Sequence, residues 1–279
     1  MINSGETQAL QDLQRIANSL MIPIMLIGAG ARLLTLDWKY NLASSRTTKD
    51  WDLAVKVNSW DEFDRLRQAL QQGTPPLFKP TKLAQRLIHI SGIPIDLVPF
   101  GGLVRANGTI VWPDEETEMT VLGFDEALAH AEWFKFDVEE KIPVATLPTL
   151  VVMKFFAFAD RKHIDDLKDA EFILKHYLQY HNENRIFDEL ATQLAHGKIA
   201  YQQAGPFLLG KDAGQLCNRQ TIERLLPILD SLVDPYSEKI EKLVGPIGDV
   251  DEEEKRRREI AANFKAFQDG IKQMKESRW

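Results

Sequence analysis

Three aspartates on two short apolar segments are the residues of this sequence best suited to chemistry. Asp50 and Asp52 begin the segment Asp50–Val57, where apolar and polar residues alternate with the period of a strand. Residues two apart on a strand point to the same side, so both carboxylates would reach one shared cation. Two carboxylates this close repel each other unless a cation sits between them, and their hard oxygens suit Mg²⁺ or Mn²⁺. A solvated strand face is the alternative, because Asp-X-Asp alone is common.

Asp96 is the lone carboxylate of a second apolar segment, Ile93–Val98. Ile95 and Leu97 would face one way on a strand and Asp96 the other. Aspartate is depleted in strands, and a residue that breaks the local preference often marks a site. The pattern favours a functional carboxylate, with an ordinary edge-strand aspartate as the alternative.

A glycine-containing turn, Gly28-Ala29-Gly30, directly follows the apolar segment Ile22–Ile27 and precedes a helical pattern at Ala31–Leu36. Glycines at such a turn allow backbone N–H groups to approach phosphate oxygens at a helix N-terminus. The turn lacks the dinucleotide fingerprint G-x-G-x-x-G because position 33 is leucine, and it lacks the Gly-Lys-Ser/Thr of a P-loop.

The spacing of apolar residues differs between the two halves of the chain. Residues 1–146 mix strand and helix patterns, which predicts an α/β (α+β) domain with a mixed sheet. Residues 147–279 are dominated by helical patterns. The individual predictions are helices at 6–20, Phe124–Ala131, Pro148–Ala159, Asp165–Tyr180 and Asn184–Leu194, a helix capped by Ser59, and strands at Leu87–Ile90, Ile93–Val98 and Phe134–Val144.

Composition limits the class of protein. The 279 residues carry a net charge of −7, which argues against non-specific coating of nucleic acid but leaves room for a local basic groove. Cys217 is the single cysteine, so an internal disulfide is impossible and a cysteine-based zinc site is disfavoured. No apolar run approaches the roughly 18 residues of a membrane span. We therefore expect a cytoplasmic protein without membrane insertion.

Two cations in the helical half stand out by their position in the sequence. Lys154 stands between Val151-Val152-Met153 and Phe155-Phe156, and a charge in an apolar helix needs a partner or a purpose. Arg161 follows seven residues later, about two helical turns, so the two side chains could share a face. The alternative is that both are ordinary solvated side chains. This alternative is stronger for Arg161 than for Lys154.

Taken in order, these motifs resemble the polymerase-β-like nucleotidyltransferases, and within them the AbiE-type toxin nucleotidyltransferases and related enzymes of bacterial defence loci. That family has a glycine-rich turn after its first strand, an Asp-X-Asp on the next strand and a third carboxylate on a later strand. The resemblance covers roughly residues 20 to 215. The matching stretches are Ile27–Arg32, Arg46–Val55, Ile95–Gly102 and Leu147–Leu174.

The resemblance implies a nucleotidyltransferase fold at 1–146 and a helical domain at 147–279 that completes the nucleotide cleft. It implies that Asp50 and Asp52 bind both metal ions, and that Asp96 binds the catalytic ion and helps to activate the attacking hydroxyl. The residues that it assigns to the nucleotide are Gly28, Ala29, Gly30, Arg32, Arg46, Lys154, Arg161 and Asp169.

One departure concerns the last acidic motif of the family. Lys168-Asp169 matches a Lys-Asp pair that usually continues to a second acid three positions after the first, but here that position is Phe172. Asp165 or Asp166 is the candidate to take its place.

The activity that the resemblance implies is Mg²⁺- or Mn²⁺-dependent transfer of a nucleoside monophosphate from an NTP or dNTP to a hydroxyl, with release of pyrophosphate. The acceptor is left open between an RNA or tRNA 3′ end, a protein hydroxyl and a growing oligonucleotide. A toxin–antitoxin or phage-defence setting, with a cognate antitoxin or effector protein as partner, is implied in the same way. The alternatives are a catalytically weak nucleotide-binding sensor module and a phosphotransferase that releases nucleoside diphosphate.

Overall fold

The structure is a computed structural model that describes residues 2–37, 50–113, 117–136, 140–179 and 182–279. It divides into two compact units, Met1–Thr146 and Leu147–Trp279. Each unit has its own core of buried apolar side chains.

The first unit is built on a mixed sheet. Within the described residues, seven strands form this sheet in the order β3-β4-β5-β2-β1-β9-β8, and two short strands form a separate pair, β6-β7. The β2–β5 and β1–β9 pairs are parallel and the other neighbours are antiparallel. The strands are β1 (Ile24–Ile27), β2 (Trp51–Val57), β3 (Phe78–Pro80), β4 (Arg86–His89), β5 (Pro94–Gly101), β6 (Thr109–Val111), β7 (Glu118–Thr120), β8 (Glu132–Lys135) and β9 (Lys141–Val144).

The helices of this unit are α1 (Ser4–Ser19), α2 (Gly28–Arg32), α3 (Trp60–Leu70) and α4 (Phe124–Ala129). Local sequence explains where two of them begin. Asn3 and Glu6 form a capping box at α1, and the Ser59 hydroxyl accepts from the Glu62 backbone N–H at α3, as predicted. The apolar residues of the central strands β1, β2 and β5 are largely buried, which makes the sheet the core of the unit.

The α/β class is confirmed. In this unit one local prediction is wrong, and one predicted helix begins three residues early. The segment predicted as one strand, Phe134–Val144, is instead a hairpin in which Lys135 pairs with Lys141 between β8 and β9. The sequence of this segment contains Asp137, Glu139 and Glu140, residue types that are depleted in strands. The helix predicted at Ala31–Leu36 starts earlier, as α2, and continues as a π-helical turn over Leu33–Asp37.

In the second unit, all regular elements of the described residues are helices. Its helices are α5 (Leu147–Arg161), α6 (Ile164–His176), α7 (Arg185–Glu189), α8 (Ala191–Ala195), α9 (Ala204–Leu216), α10 (Arg219–Asp230), α11 (Glu238–Val244) and α12 (Val250–Arg278). The helix predicted at Asn184–Leu194 is broken at Leu190, which ends α7 and precedes α8. Phe155 of α5 lies in the core, with ring centroids 5.7 and 5.5 Å from Phe264 and Phe267.

Helices α9 and α12 pack backbone against backbone. A Cβ placed on Gly210 would lie 2.0 Å from the Phe267 carbonyl oxygen, and one on Gly270 would lie 2.2 Å from that of Phe207. Only glycine allows so close an approach. None of the helices in the described part of the chain is both long and apolar enough to cross a bilayer.

Candidate functional site

A row of charged side chains crosses the middle of the sheet in the first unit. Asp52 of β2 is directly opposite Asp96 of the parallel neighbour β5, and Asp96 is directly opposite Arg86 of β4. Residues directly opposite each other on neighbouring strands project from the same face. The sheet therefore brings Asp52, Asp96 and Arg86 together, although 34 positions separate Asp52 from Arg86 in the sequence.

Asp50 immediately precedes β2, and its carboxylate also accepts a hydrogen bond from Arg86 Nη2. The same guanidinium donates to both oxygens of Asp96, from Nε to Oδ1 at 2.6 Å and from Nη2 to Oδ2 at 2.7 Å. We call this group, Arg86 with Asp50 and Asp96, the Arg86 cluster. Its side chains are 30%, 33% and 14% exposed respectively, so the cluster is in reach of solvent.

The electrostatics of the Arg86 cluster stabilise the guanidinium. The hydrogen bond that Arg86 donates to Asp96 raises the pKa of Arg86 above its ordinary value, while partial burial acts in the opposite direction. The charges on Asp96 and Asp50 add to the increase. Positive charge is therefore strongly favoured between these two carboxylates.

Arg86 is not among the residues predicted from the sequence, because its partners depend on the register between β4 and β5. In the observed register the numbers of paired residues sum to 182, as for Leu87 with Ile95 and Ile88 with Pro94, whereas a two-residue turn at Ser91-Gly92 would give pairs that sum to 183 and would place Leu87 opposite Asp96. Extending the predicted strand by one residue in the observed register places Arg86 opposite Asp96.

The glycine turn lies against the carboxylate of Asp52. Gly28 has φ +68°, and a Cβ at this position would lie 2.2 Å from Asp52 Oδ2. A Cβ on Gly30 would lie 2.5 Å from the Trp51 ring. Both glycines are thus required for the close approach of this turn to the start of β2, while Ala29 between them is partly exposed.

The resemblance assigns Arg32 and Arg46 of the first unit to the nucleotide, and the structure describes only Arg32 of these two. Arg32 is buried in α2 and forms an ion pair with Asp37 at 3.2 Å. Arg46 lies outside the described residues. The nucleotide roles of both remain predictions.

The second unit has an ion cluster of its own, which we call the Lys154 cluster. Lys154 Nζ lies 2.7 Å from Asp169 and 3.5 Å from Asp166, and Arg161 donates two hydrogen bonds to Asp166. The two carboxylates are 2% exposed. Of the two candidates for the missing family acid, Asp166 belongs to this cluster, whereas Asp165 pairs with Lys168 at 3.4 Å.

The chemistry of the donor set in the first unit fits a divalent cation. Asp52 and Asp96 on two adjacent strands, and Asp50 just before the first of them, offer hard carboxylate oxygens, the type of ligand that Mg²⁺ and Mn²⁺ prefer. In the conformation seen here, no three acidic, histidine or cysteine side chains of the described residues converge as a metal site. Two of the three carboxylates instead converge on the guanidinium of Arg86.

Comparisons with known proteins add the following findings. No protein-family model matches the sequence, and no curated protein matches it either. Among solved structures, the chain is similar to the antibiotic-resistance factor ANT(2'')-Ia in solution, with 12% identity, a TM-score of 0.36, and coverage of 71% of this chain and 98% of that one. It is also similar to a proposed nucleotidyltransferase from H. pylori, with 15% identity, a TM-score of 0.33 and full coverage of both chains.

Proposed function

We propose that this protein is a Mg²⁺- or Mn²⁺-dependent nucleotidyltransferase that transfers a nucleoside monophosphate from an NTP or dNTP to a hydroxyl acceptor and releases pyrophosphate. The observation that carries the proposal is the juxtaposition of Asp52 and Asp96 on adjacent parallel strands, with the glycine turn against Asp52. The order of the matching motifs along the chain supports the same assignment.

Asp50, Asp52 and Asp96 are the residues that would hold the metal. When bound there, divalent ions acidify an acceptor hydroxyl and neutralise the charge that builds on a transferring phosphate. Asp96 lies between Asp52 and Arg86 in the row, and its carboxylate would orient the attacking hydroxyl. The absence of a side chain at Gly28 lets the turn lie against the Asp52 carboxylate, where backbone N–H groups of the turn would approach the triphosphate.

The acceptor and the biological setting rest on the sequence resemblance alone. It supports an RNA or tRNA 3′ end, a protein hydroxyl or a growing oligonucleotide as acceptor. It also supports an AbiE-type toxin or defence role with an antitoxin or effector partner. The roles of Lys154, Arg161 and Asp169 in binding the nucleotide belong to the same proposal.

The test is incubation of the purified protein with each α-labelled nucleotide, Mg²⁺, and either total RNA or cell protein. Transfer of label to an acceptor, lost in Asp52→Asn, supports the proposal. The products also identify the reaction class, because a phosphotransferase releases nucleoside diphosphate in place of pyrophosphate. A protein that transfers no label with any acceptor under these conditions contradicts the proposal.

A nucleotide-binding module without turnover is the second candidate. The observation that favours it is the position of Arg86, which already satisfies Asp50 and both oxygens of Asp96. Such a module would be stabilised by nucleotide in melting curves while transferring none.

A further inference from the structure

Arg86 occupies the position at which a cation shared by Asp50 and Asp96 would lie. Its Nη2 atom donates to both carboxylates at once, and its Nε atom completes a two-pronged contact with Asp96. Paired contacts of this kind between guanidinium and carboxylate are among the strongest hydrogen-bonded ion pairs in proteins.

We propose that Arg86 is the resident cation of this site and that a divalent metal ion displaces it from Asp50 and Asp96 on binding. The inference deepens the proposed function and rests on it. It makes Arg86 a positioning residue: it keeps the two carboxylates together without metal and leaves when the metal arrives.

Displacement, not coexistence, follows from the geometry. Both oxygens of Asp96 already accept from Arg86, so an ion that bridges Asp50 and Asp96 would compete with the guanidinium for the same oxygens. A divalent ion beside a retained guanidinium would also repel it strongly at a separation of a few ångströms.

The surroundings of Arg86 allow it to leave. Its side chain is 30% exposed, and β4 lies one strand from the edge of the sheet. Among the described residues, the ion-pair partners of its guanidinium are Asp50 and Asp96. A displaced Arg86 therefore moves into solvent without breaking a buried ion pair elsewhere.

The experiment measures binding of Mn²⁺ alone, without nucleotide, from the electron paramagnetic resonance signal of the free ion. The proteins are the natural chain, Arg86→Gln, Asp52→Asn and a matched control, Arg65→Gln. Arg65 is an exposed arginine of α3, so its replacement changes net charge equally but leaves the Arg86 cluster intact. We expect Arg86→Gln to bind Mn²⁺ about tenfold more tightly than the natural protein, because one competing positive charge is gone, and Arg65→Gln to stay within about twofold.

The outcomes separate this inference from the proposed function. If Arg86→Gln binds Mn²⁺ no more tightly than the natural protein does, the inference is wrong. The proposed function still stands in that case, provided that the natural protein binds Mn²⁺ and Asp52→Asn binds it more weakly. If the natural protein does not bind Mn²⁺, or Asp52→Asn binds it equally well, the metal site and the inference both fall.

A second measurement on the natural protein covers the case in which Arg86→Gln does not fold. The Nε–H resonance of Arg86, assigned by its loss in Arg86→Lys, reports the contact with Asp96 directly. We expect saturating Mg²⁺ to shift this resonance and to speed its exchange with water. A resonance that Mg²⁺ leaves unchanged overturns displacement.

Discussion

The two ion clusters of this protein combine the same kinds of side chain in opposite environments. In the Arg86 cluster the carboxylates are 33% and 14% exposed, and in the Lys154 cluster they are both 2% exposed. Partly exposed ion pairs are weakened by water and salt, so an incoming ligand can replace one partner. A buried pair resists this, because removing one partner leaves an uncompensated charge away from water. The difference fits the proposed exchange of cations at the first cluster, and it predicts that the second cluster stabilises the fold.

The largest effect should come from the row of carboxylates. We expect Asp52→Asn to lower nucleotide transfer by about a thousandfold, since the metals that position the triphosphate would be lost. Its melting temperature in metal-free buffer should stay equal or rise, because a like charge beside Asp96 is removed. Transfer assays and melting curves on the same preparations check both expectations, and a variant that transfers at the natural rate would refute the metal site.

The second-largest expected effect is a loss of stability when the Lys154 cluster is disrupted. Asp169→Asn should destabilise the protein by about 3 kcal/mol, because Lys154 would be left buried with a weakened set of partners. The matched control is Asp165→Asn on the same helix, whose exposed pair with Lys168 should contribute less than about 1 kcal/mol. Denaturant unfolding of both variants decides the matter. Equal losses would mean that the buried cluster is no more important to the fold than a surface pair.

The same comparison revises what we expect of Lys154 itself. From the sequence, Lys154→Ala should weaken nucleotide use and leave the fold intact. Since Lys154 pairs with Asp169 in the structure, we now expect this variant to lose stability as well.

A pair of glycines tests whether the site depends on close packing. Gly28 and Gly92 both have positive φ, at +68° and +86°, but only at Gly28 would a Cβ meet a neighbour, the Asp52 carboxylate. Gly28→Ala should cost about 2 kcal/mol and Gly92→Ala about 1 kcal/mol from backbone strain. Transfer activity should fall at least about tenfold in Gly28→Ala only, because Asp52 must move. Equal activity in the two variants would show that the position of Asp52 is uncritical.

The smallest effect is a pH dependence in the second unit. The hydrogen bond from Arg185 holds the pKa of Glu189 below its ordinary value of 4.5, burial opposes this, and Lys211 adds to the decrease. A depressed pKa in the folded state gives stability that is present above pH 4.5 and lost as the pH falls through the folded value.

The natural protein should therefore lose more melting temperature than Glu189→Gln between pH 6 and about pH 3.5, since the variant lacks the titrating group. Asp188→Asn, an exposed neighbour on the same helix, serves as control and should follow the natural protein. If the melting temperatures of the natural protein and Glu189→Gln fall in parallel with pH, Glu189 does not contribute to the pH dependence of stability.

Periodicity predicted the elements that are long or half-buried. The alternation of Asp50–Val57 became β2, the apolar run with Asp96 became β5, and the helical spacing of residues 6–20 became α1. In each case one face of the element packs on the core, so the spacing of apolar residues in the sequence shows which face is buried. The three-residue strands β3, β6 and β7 were missed, because three residues are too few to show a period.

The candidate site was predictable in part, and its missing member shows why. Asp52 and Asp96 stand out because aspartate is unusual inside an apolar strand. Arg86 does not stand out, since an arginine at a strand end is ordinary and its importance depends on pairing between strands. Local preference reveals which residues are unusual, whereas register decides which of them meet.

The backbone contact between α9 and α12 has a consequence for synthesis on the ribosome. The sheet of the first unit is complete within the first 146 residues, so its strands can pair while later residues are still being added. In the second unit, Phe155 reaches its partners Phe264 and Phe267 only after more than a hundred further residues have been made. Until α12 emerges, the apolar faces of α5 and α9 that pack on α12 lack that partner. We therefore expect the growing chain to be most prone to aggregation during this interval.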